Sequence, residues 1–369
     1  MTTTTTIPWW RPEVGADEER AVLRVLASNY LNEGDVTAEF EQKAAALVGA
    51  RHAVATTSGT SAIFLALTAL GVGAGDEVIV PDVTFIATAN AVTLAGATPV
   101  LVDVDPATLT VDPAAVERAI SPRTKAVVPV HVSGRAAAMA PILEMAARAG
   151  VAVVEDAAEA LLSRHAGRYL GTCGAAGCFS FSPNKTVTTG QGGLVVTDDD
   201  ATAVRLRALK DQGRPVRGTG GNDVHDTLGY NFKLTNLQAA VGIAQLDKLA
   251  IRAARLRDIC RWYRDGLSGV RQIRLLPFAL DAGESPQWVD ALAEDRDALI
   301  EHLRQRDIHC RAFWFPIHTQ RPYRQPDDAF PVSLRVARRA VWLPSAFQLD
   351  EADVQLVCGE VRRFYGSRA

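Results

Sequence analysis

Between about residue 52 and residue 200, short runs of β-branched and apolar residues alternate with segments of helical periodicity. That alternation constrains the fold more than any other feature. Residues 52–57 read as a strand and residues 60–70 as the helix after it. Residues 77–80 form the next strand, followed by a helix over 84–95 that a threonine opens. The pattern repeats with strands at 98–103, 125–130 and 151–156 and helices at 112–120 and 138–149. Gly71 and Gly150 stand where helix C-caps belong. Strands that are apolar along their whole length are buried on both faces. The expected class is therefore α/β, a largely parallel sheet covered by helices.

After Asp198 the texture changes. Residues 201–209 are helical, 214–226 form a Gly-rich polar loop, and 234–263 carry one long helical pattern. Beyond about Ile251 the chain reads as a smaller α+β unit with a helix at 294–306, a strand at 309–313 and a last helix at 351–364. The expected organisation is a large domain over 1–250 and a small C-terminal domain over 251–369, with roughly the first 20 residues packing against the small one. A length of 369 residues supports a sizeable core. A formal net charge of −3 gives no electrostatic case for nucleic acid or an anionic membrane as partner. The longest apolar run, 62–75, falls short of the roughly 20 residues needed to span a bilayer. The threonine-rich start lacks the basic and apolar regions of a secretory signal. Five scattered cysteines without a C-x-x-C pair read as free thiols of a cytoplasmic protein, and no metal site is expected.

Three groups carry chemistry. Lys185 follows a short apolar strand and precedes a Gly-rich turn into residues 193–197. Asp156 ends the strand at 151–156, the end at which open α/β sheets place ligand-binding groups. A lysine that can form an imine, with an acid able to hold a pyridinium nitrogen, is the minimum for pyridoxal phosphate chemistry. The same amine can shuttle a proton once a substrate has displaced it. The third group is the strand-to-helix turn at 57–61, where the N–H groups of Gly59, Thr60 and Ser61 would meet an anion. Against each stands an ordinary structural role: a solvated lysine, a helix-capping aspartate, a plain N-cap. A dehydrogenase reading fails for want of a G-x-G-x-x-G turn after an early strand.

The chain resembles the DegT/DnrJ/EryC1/StrS-like sugar aminotransferases, of aspartate aminotransferase fold type I, from about Pro12 onward. The resemblance rests on Ser58-Gly-Thr, Gly75-Asp-Glu-Val-Ile-Val-Pro81, Phe85-Ile-Ala-Thr-Ala-Asn90, Thr124-Lys-Ala-Val-Val-Pro-Val-His131, Glu155-Asp-Ala-Ala-Glu159, Phe179-Ser-Phe-Ser-Pro-Asn-Lys185 and the run Gly229 to Ala240, in that order and spacing. It implies a mostly parallel seven-stranded sheet in the large domain. It also implies the cofactor pyridoxal 5'-phosphate, held as an imine on Lys185, with Asp156 at the pyridine nitrogen and Phe85 stacked on the ring. Ser180, Gly59, Thr60 and Ser61 would bind the phosphate, Glu159 would belong to the same pocket, and Asn231 would reach the phosphate of the other subunit of a homodimer. The implied reaction moves the amino group of L-glutamate to the keto group of a nucleotide-linked 4-keto-6-deoxy sugar.

Residues 231–240 and Phe313-Trp-Phe-Pro-Ile-His318 are similar to GDP-perosamine synthases, which makes His131, Trp314 and His318 candidate sugar contacts. Arg311, Arg321 and Arg324 are candidates for a diphosphate. The chain departs from the family in Glu159, where Gln or His is common, in residues 132–135, where an aromatic-Gly pair is usual, and in Lys233, where Arg is common. A cyclic non-sugar ketone remains an alternative substrate, and a non-catalytic regulatory protein on the same fold an alternative class. A sugar dehydratase of the same lineage would replace the lysine with histidine.

Overall fold

The structure is a computed structural model that describes residues 6–215 and 223–366. Seven strands form the large sheet: β1 (His52–Thr56), β2 (Glu77–Pro81), β3 (Thr98–Val102), β4 (Thr124–Val127), β5 (Ala152–Asp156), β6 (Ala176–Ser180) and β7 (Gly193–Thr197). Their order across the sheet is β1-β7-β6-β5-β4-β2-β3. Every pairing is parallel except those of β7, which runs against both β1 and β6. Successive side chains of a strand point to opposite faces, and here each face has its own core. Val54, Val78, Val80, Val154 and Val195 face the helix Gly59–Ala69, while Ala53, Ala55, Leu194 and Val196 face Phe40 and Phe181. Ile79, Val127 and Val153 pack on the helix Met139–Ala149. Burying each such valine, leucine or isoleucine contributes about 1.5–3 kcal/mol.

Helices begin where the sequence supplies caps. The Ser58 side chain accepts the Ser61 N–H, Asp112 accepts the Ala114 N–H ahead of Pro113–Ala119, and Thr235 forms a capping box with Gln238. Three sequence expectations shift. The helix expected from residue 84 is Ala87–Leu94, with no side-chain cap, so Thr84 and Phe85 lie in the loop before it. The single pattern over 234–263 is two helices, Asn236–Asp247 and Leu249–Gly266, parted at Lys248, whose Nζ pairs with both carboxylate oxygens of Glu18 at 2.7 and 2.8 Å. The strand expected over 309–313 pairs only at Arg311–Ala312. Part of the Gly-rich stretch expected at 214–226 (residues 216–222) lies outside the described residues.

A second, antiparallel sheet follows, with β8 (Ile273–Leu275), β9 (Val289–Ala293), β10 (Arg311–Ala312) and β11 (Ala340–Leu343) in the order β8-β9-β11-β10. The helices Leu249–Gly266 and Glu351–Gly366 share its core. Ile7 bridges Ile308, and Trp9 and Trp10 pack on Trp288 of the same unit. The helix Ala16–Ala27 then crosses over to pack on Asn236–Asp247 beside the large sheet.

The two sheets are stapled by a buried charge. Arg135, which follows β4, donates to Asp290 of β9 at 2.8 Å, to the Thr108 and Pro277 carbonyls at 2.8 and 2.9 Å, and stacks on Phe278. Residues 132–135 therefore take a joining role in this chain.

Candidate active site

The register of the reversed strand gathers the site. Gly193, the first residue of β7, pairs with both Thr56 and Ser180, the last residues of β1 and β6. Asp156 ends the adjacent β5. Loops that leave these strand ends wall a cleft of about 490 Å³ at the C-terminal edge of the sheet, where open α/β sheets bind ligands. Gly59, Thr60, Phe85, Asp156, Glu159, Ser180 and Lys185 all border it.

Asp156 is buried, and its Oδ2 accepts the Thr88 hydroxyl at 2.8 Å while Oδ1 accepts the Ala158 N–H at 3.1 Å. Burial pushes its carboxyl above the ordinary value, against the pull of Thr88, Ala158 and the Lys185 charge. Glu159 is likewise pushed up by burial and pulled down first by Lys185. Lys185 Nζ donates to Glu159 Oε1 at 3.2 Å and sits 4.8 Å from the centre of the Trp288 ring, so a cation is held between a carboxylate and an indole face. The second oxygen of Glu159 accepts the Ser133 N–H at 2.8 Å.

At the far end of the cleft the helix Gly59–Ala69 presents its N-terminus. The first N–H groups of a helix have no intrahelical acceptor, and Gly59 and Thr60 offer theirs to the cleft. A Cβ at Gly59 would lie 2.8 Å from Ser180 Cβ, so glycine is what lets the turn close onto β6. Ser61, expected as a third phosphate donor, is otherwise engaged. Its N–H goes to Ser58 Oγ and its hydroxyl lies 2.8 Å from the Ser58 carbonyl and 3.0 Å from Thr56 Oγ1. Ser61 builds the turn without lining the cleft. Phe85 is 53% exposed and borders the cleft, which leaves its ring face free.

The expected sugar contacts divide. Trp314 borders the cleft, edge-on to Trp342. His131 and His318 do not, and that expectation is corrected. His131 is fully buried; its Nδ1 accepts the Ala137 N–H, so Nε2 carries the proton and donates to Glu155 Oε2 at 2.9 Å. Glu155 in turn receives N–H groups of Gly171, Cys173 and Gly174, making the pair a brace beneath Asp156. His318 is equally buried, tied to Asp82 at 2.6 Å and stacked on Phe330. Asn231 is exposed, bridges Asp211 and stands off the cleft of its own chain. Of the three arginines only Arg311 borders the cleft, lying over the Trp9 ring at 4.9 Å. Arg324 pairs with Asp327 and Arg321 is exposed away from it.

Sequence reasoning missed Trp288 and Trp342. Trp342 lies in β11 and Trp288 directly before β9, both more than 100 positions after Lys185, and no local pattern marks them. Five of the six tryptophans (9, 10, 288, 314 and 342) meet in one cluster of tilted and edge-on rings.

A flat cationic ring fits against the buried Asp156, a dianion fits the helix N-terminus at Gly59 and Thr60, and an aldehyde fits beside Lys185. Fold and site together define a pyridoxal-phosphate enzyme of the aspartate aminotransferase type. The chain belongs to the DegT/DnrJ/EryC1/StrS aminotransferase family, which it matches over residues 12–362. It is 37% identical over 354 residues to the GDP-perosamine synthase of Caulobacter vibrioides, covering 94% of this chain and 95% of that protein. Among solved structures it is similar to the S. venezuelae DesV ketimine complex, with TM-score 0.90, 37% identity and 94% of each chain covered. It also matches the PLP-form of a sugar aminotransferase from Streptococcus pneumoniae, with TM-score 0.93 and 25% identity, over 98% of this chain and 99% of that one.

Proposed function

We propose that this enzyme transfers the amino group of L-glutamate to the keto carbon of a nucleotide-linked 4-keto-6-deoxy sugar. The observation that carries the reading is Lys185 and Asp156 on one cleft, each fixed by buried partners. The nucleotide-sugar part rests on the likeness to a protein named GDP-perosamine synthase. When bound, pyridoxal phosphate supplies an aldehyde and an electron-withdrawing pyridine ring. Asp156 keeps a proton on the ring nitrogen, which its charge favours in a buried site. Lys185 Nζ carries the proton to and from the substrate carbon, and Glu159 aims that amine. Gly59, Thr60 and Ser180, which line the cleft, would hold the phosphate, and Phe85 would cover the ring.

Trp314 and Arg311 on the cleft wall suit a sugar and its diphosphate, since an aromatic face and a guanidinium with no carboxylate partner among the described residues are what such a group recognises. Asn231 would act on the cleft of a second copy in a homodimer. The 88% exposed Leu228 close by is an apolar side chain that such a partner would cover. A reducing compartment, the cytoplasm, suits five cysteines of which none is in a disulfide. No helix among the described residues is long and apolar enough to cross a membrane.

Purified protein loaded with the cofactor should absorb in the visible range and lose that band on adding glutamate. A panel of keto-sugar nucleotides then identifies the acceptor, with the guanosine diphosphate sugar as the expected substrate. Lys185→Ala should abolish both the band and turnover, and full activity in that variant would end the proposal.

A further inference from the structure

One side chain of the C-terminal unit holds the lysine loop from both sides. Gln287, two residues before β9, is 3% exposed. Its Oε1 accepts the N–H and the hydroxyl of Thr186 at 3.2 and 2.8 Å, and its Nε2 donates to the Asn184 carbonyl at 3.2 Å. Asn184 and Thr186 are the two neighbours of Lys185. The amide orientation is fixed by its surroundings, since a backbone N–H can only donate and a carbonyl only accept. The backbone N–H of Gln287 donates to the Ser133 carbonyl at 2.8 Å, and the Ser133 N–H donates to Glu159, which accepts from Lys185 Nζ. The contacts thus close a circuit: Gln287, Ser133, Glu159, Lys185, and back through Asn184 and Thr186 to Gln287. Trp288, the next residue, lies against the amine itself.

We propose that Gln287 is a positioning residue that fixes where the Lys185 amine stands relative to Asp156. The proposal rests on the role given to Lys185 above. Asp156 is carried by the large sheet, whereas the segment that carries Lys185 is pinned by a side chain anchored beside the other sheet. Holding the amine in a reacting geometry is where such a clamp acts, because a misplacement of about 1 Å can cost as much as 100-fold in rate. Nothing in the local sequence around 287 marks it, and its three side-chain hydrogen bonds all end on residues flanking the lysine.

The test compares the full-length parent with Gln287→Met, which keeps the length and volume of the side chain and removes its hydrogen bonds. Thr186→Val, which removes only the hydroxyl contact, serves as a milder second variant. Three quantities are read: the rate at which the visible band develops when apo protein meets pyridoxal phosphate, kcat against KM for the keto-sugar, and the thermal midpoint. In Gln287→Met the band should develop about tenfold or more slowly, with kcat falling by a similar factor and KM within about twofold. Thr186→Val should shift both rates the same way by less. A folded Gln287→Met or Thr186→Val that forms the band and turns over at the parental rate overturns the proposal. So does a raised KM at unchanged kcat, which would make Gln287 a substrate contact. A loss that tracks the thermal midpoint and vanishes on cooling would reduce it to packing. Lys185→Ala is the control for the underlying reading: if that protein still forms the same band, the role of Lys185 fails, whatever the Gln287 variants do.

Discussion

The Lys185 amine and the Glu159 carboxylate face each other at 3.2 Å inside the cleft, and the second oxygen of Glu159 is held by the N–H of Ser133. Ser133 adopts a left-handed backbone with φ 54°, a conformation that costs on the order of 1 kcal/mol or more for a residue with a Cβ. The strain is held by its neighbours. Trp342 Nε1 donates to the Ser133 hydroxyl, and a Cβ at the adjoining Gly134 (φ 95°) would meet the Ser285 carbonyl at 2.1 Å. A turn pinned this firmly fixes the carboxylate, and the carboxylate aims the amine.

Glu159→Gln therefore keeps the shape but loses a partner. An amide offers one acceptor oxygen, so its NH₂ must face either the Ser133 N–H or the lysine amine, donor against donor. Removing the charge also disfavours a protonated nitrogen beside it. In the cofactor-loaded variant the pH midpoint of the visible absorbance should move to lower pH, and kcat should fall about tenfold. A spectrophotometric pH titration reads the first and steady-state kinetics the second.

Asp156 is expected to trade stability for function. Burial disfavours its charged form, so Asp156→Asn should raise the thermal midpoint of the apo protein at neutral pH, with the Thr88 hydroxyl turning to accept from the new amide. A folded-state pKa above the ordinary 3.8 means that the ionised form is penalised at high pH and the neutral form is not. The gain should thus be largest at neutral pH and fade as the pH falls toward 3.8. Cofactor affinity should drop in the same variant. Calorimetry across pH, with and without pyridoxal phosphate, measures both.

Removing one half of the buried Arg135–Asp290 pair should be costly. Arg135→Met leaves Asp290, already pushed up by burial, without its counter-ion, at about 3–5 kcal/mol. The double variant Arg135→Met with Asp290→Leu should recover part of that loss. Urea unfolding of the parent, the single and the double variant checks the order.

Glu18 anchors the helix Ala16–Ala27 to the rest of the fold. Burial pushes its carboxyl up, but the Lys248 ammonium with the Gly15 and Gln245 donors outweighs that and holds the pKa at about 2, below the ordinary 4.5. A depressed carboxyl stabilises the fold above its unfolded value, and the benefit disappears as the pH falls through the folded one. Glu18→Gln should then be less stable than the parent at pH 7, with the difference closing between about pH 4.5 and pH 2. Chemical denaturation over that range tests it.

Much of the large sheet was legible because its strands are apolar runs bounded by caps and turns, which act over a few residues. The strand expected at 151–156 is Ala152–Asp156, and the helix expected at 138–149 is Met139–Ala149. The strand at 309–313 was misjudged because pairing, which sets a strand's length, depends on β11 about 30 residues later. Ser61 and Phe85 show the same limit at the site. Whether a serine near a helix start points at a ligand or at its own turn is decided by Thr56 and Ser58, and whether a Phe beside a helix is core or cleft wall is decided by where that helix starts.

Chemistry followed the same division. Local periodicity in the sequence is enough to single out the lysine, the aspartate and the glycine turn, because each lies at or a few residues past the end of an apolar strand. Tertiary structure alone decided which histidines are sealed in the core, that Trp288 and Gln287 reach the lysine, and that residues 132–135 join two sheets. Most of those outcomes depend on contacts between distant segments, such as Thr186 with Gln287 and Arg135 with Asp290, which lie more than 100 residues apart. Burial and hydrogen-bond satisfaction at such contacts are properties of the packed chain, and no window of sequence contains both partners.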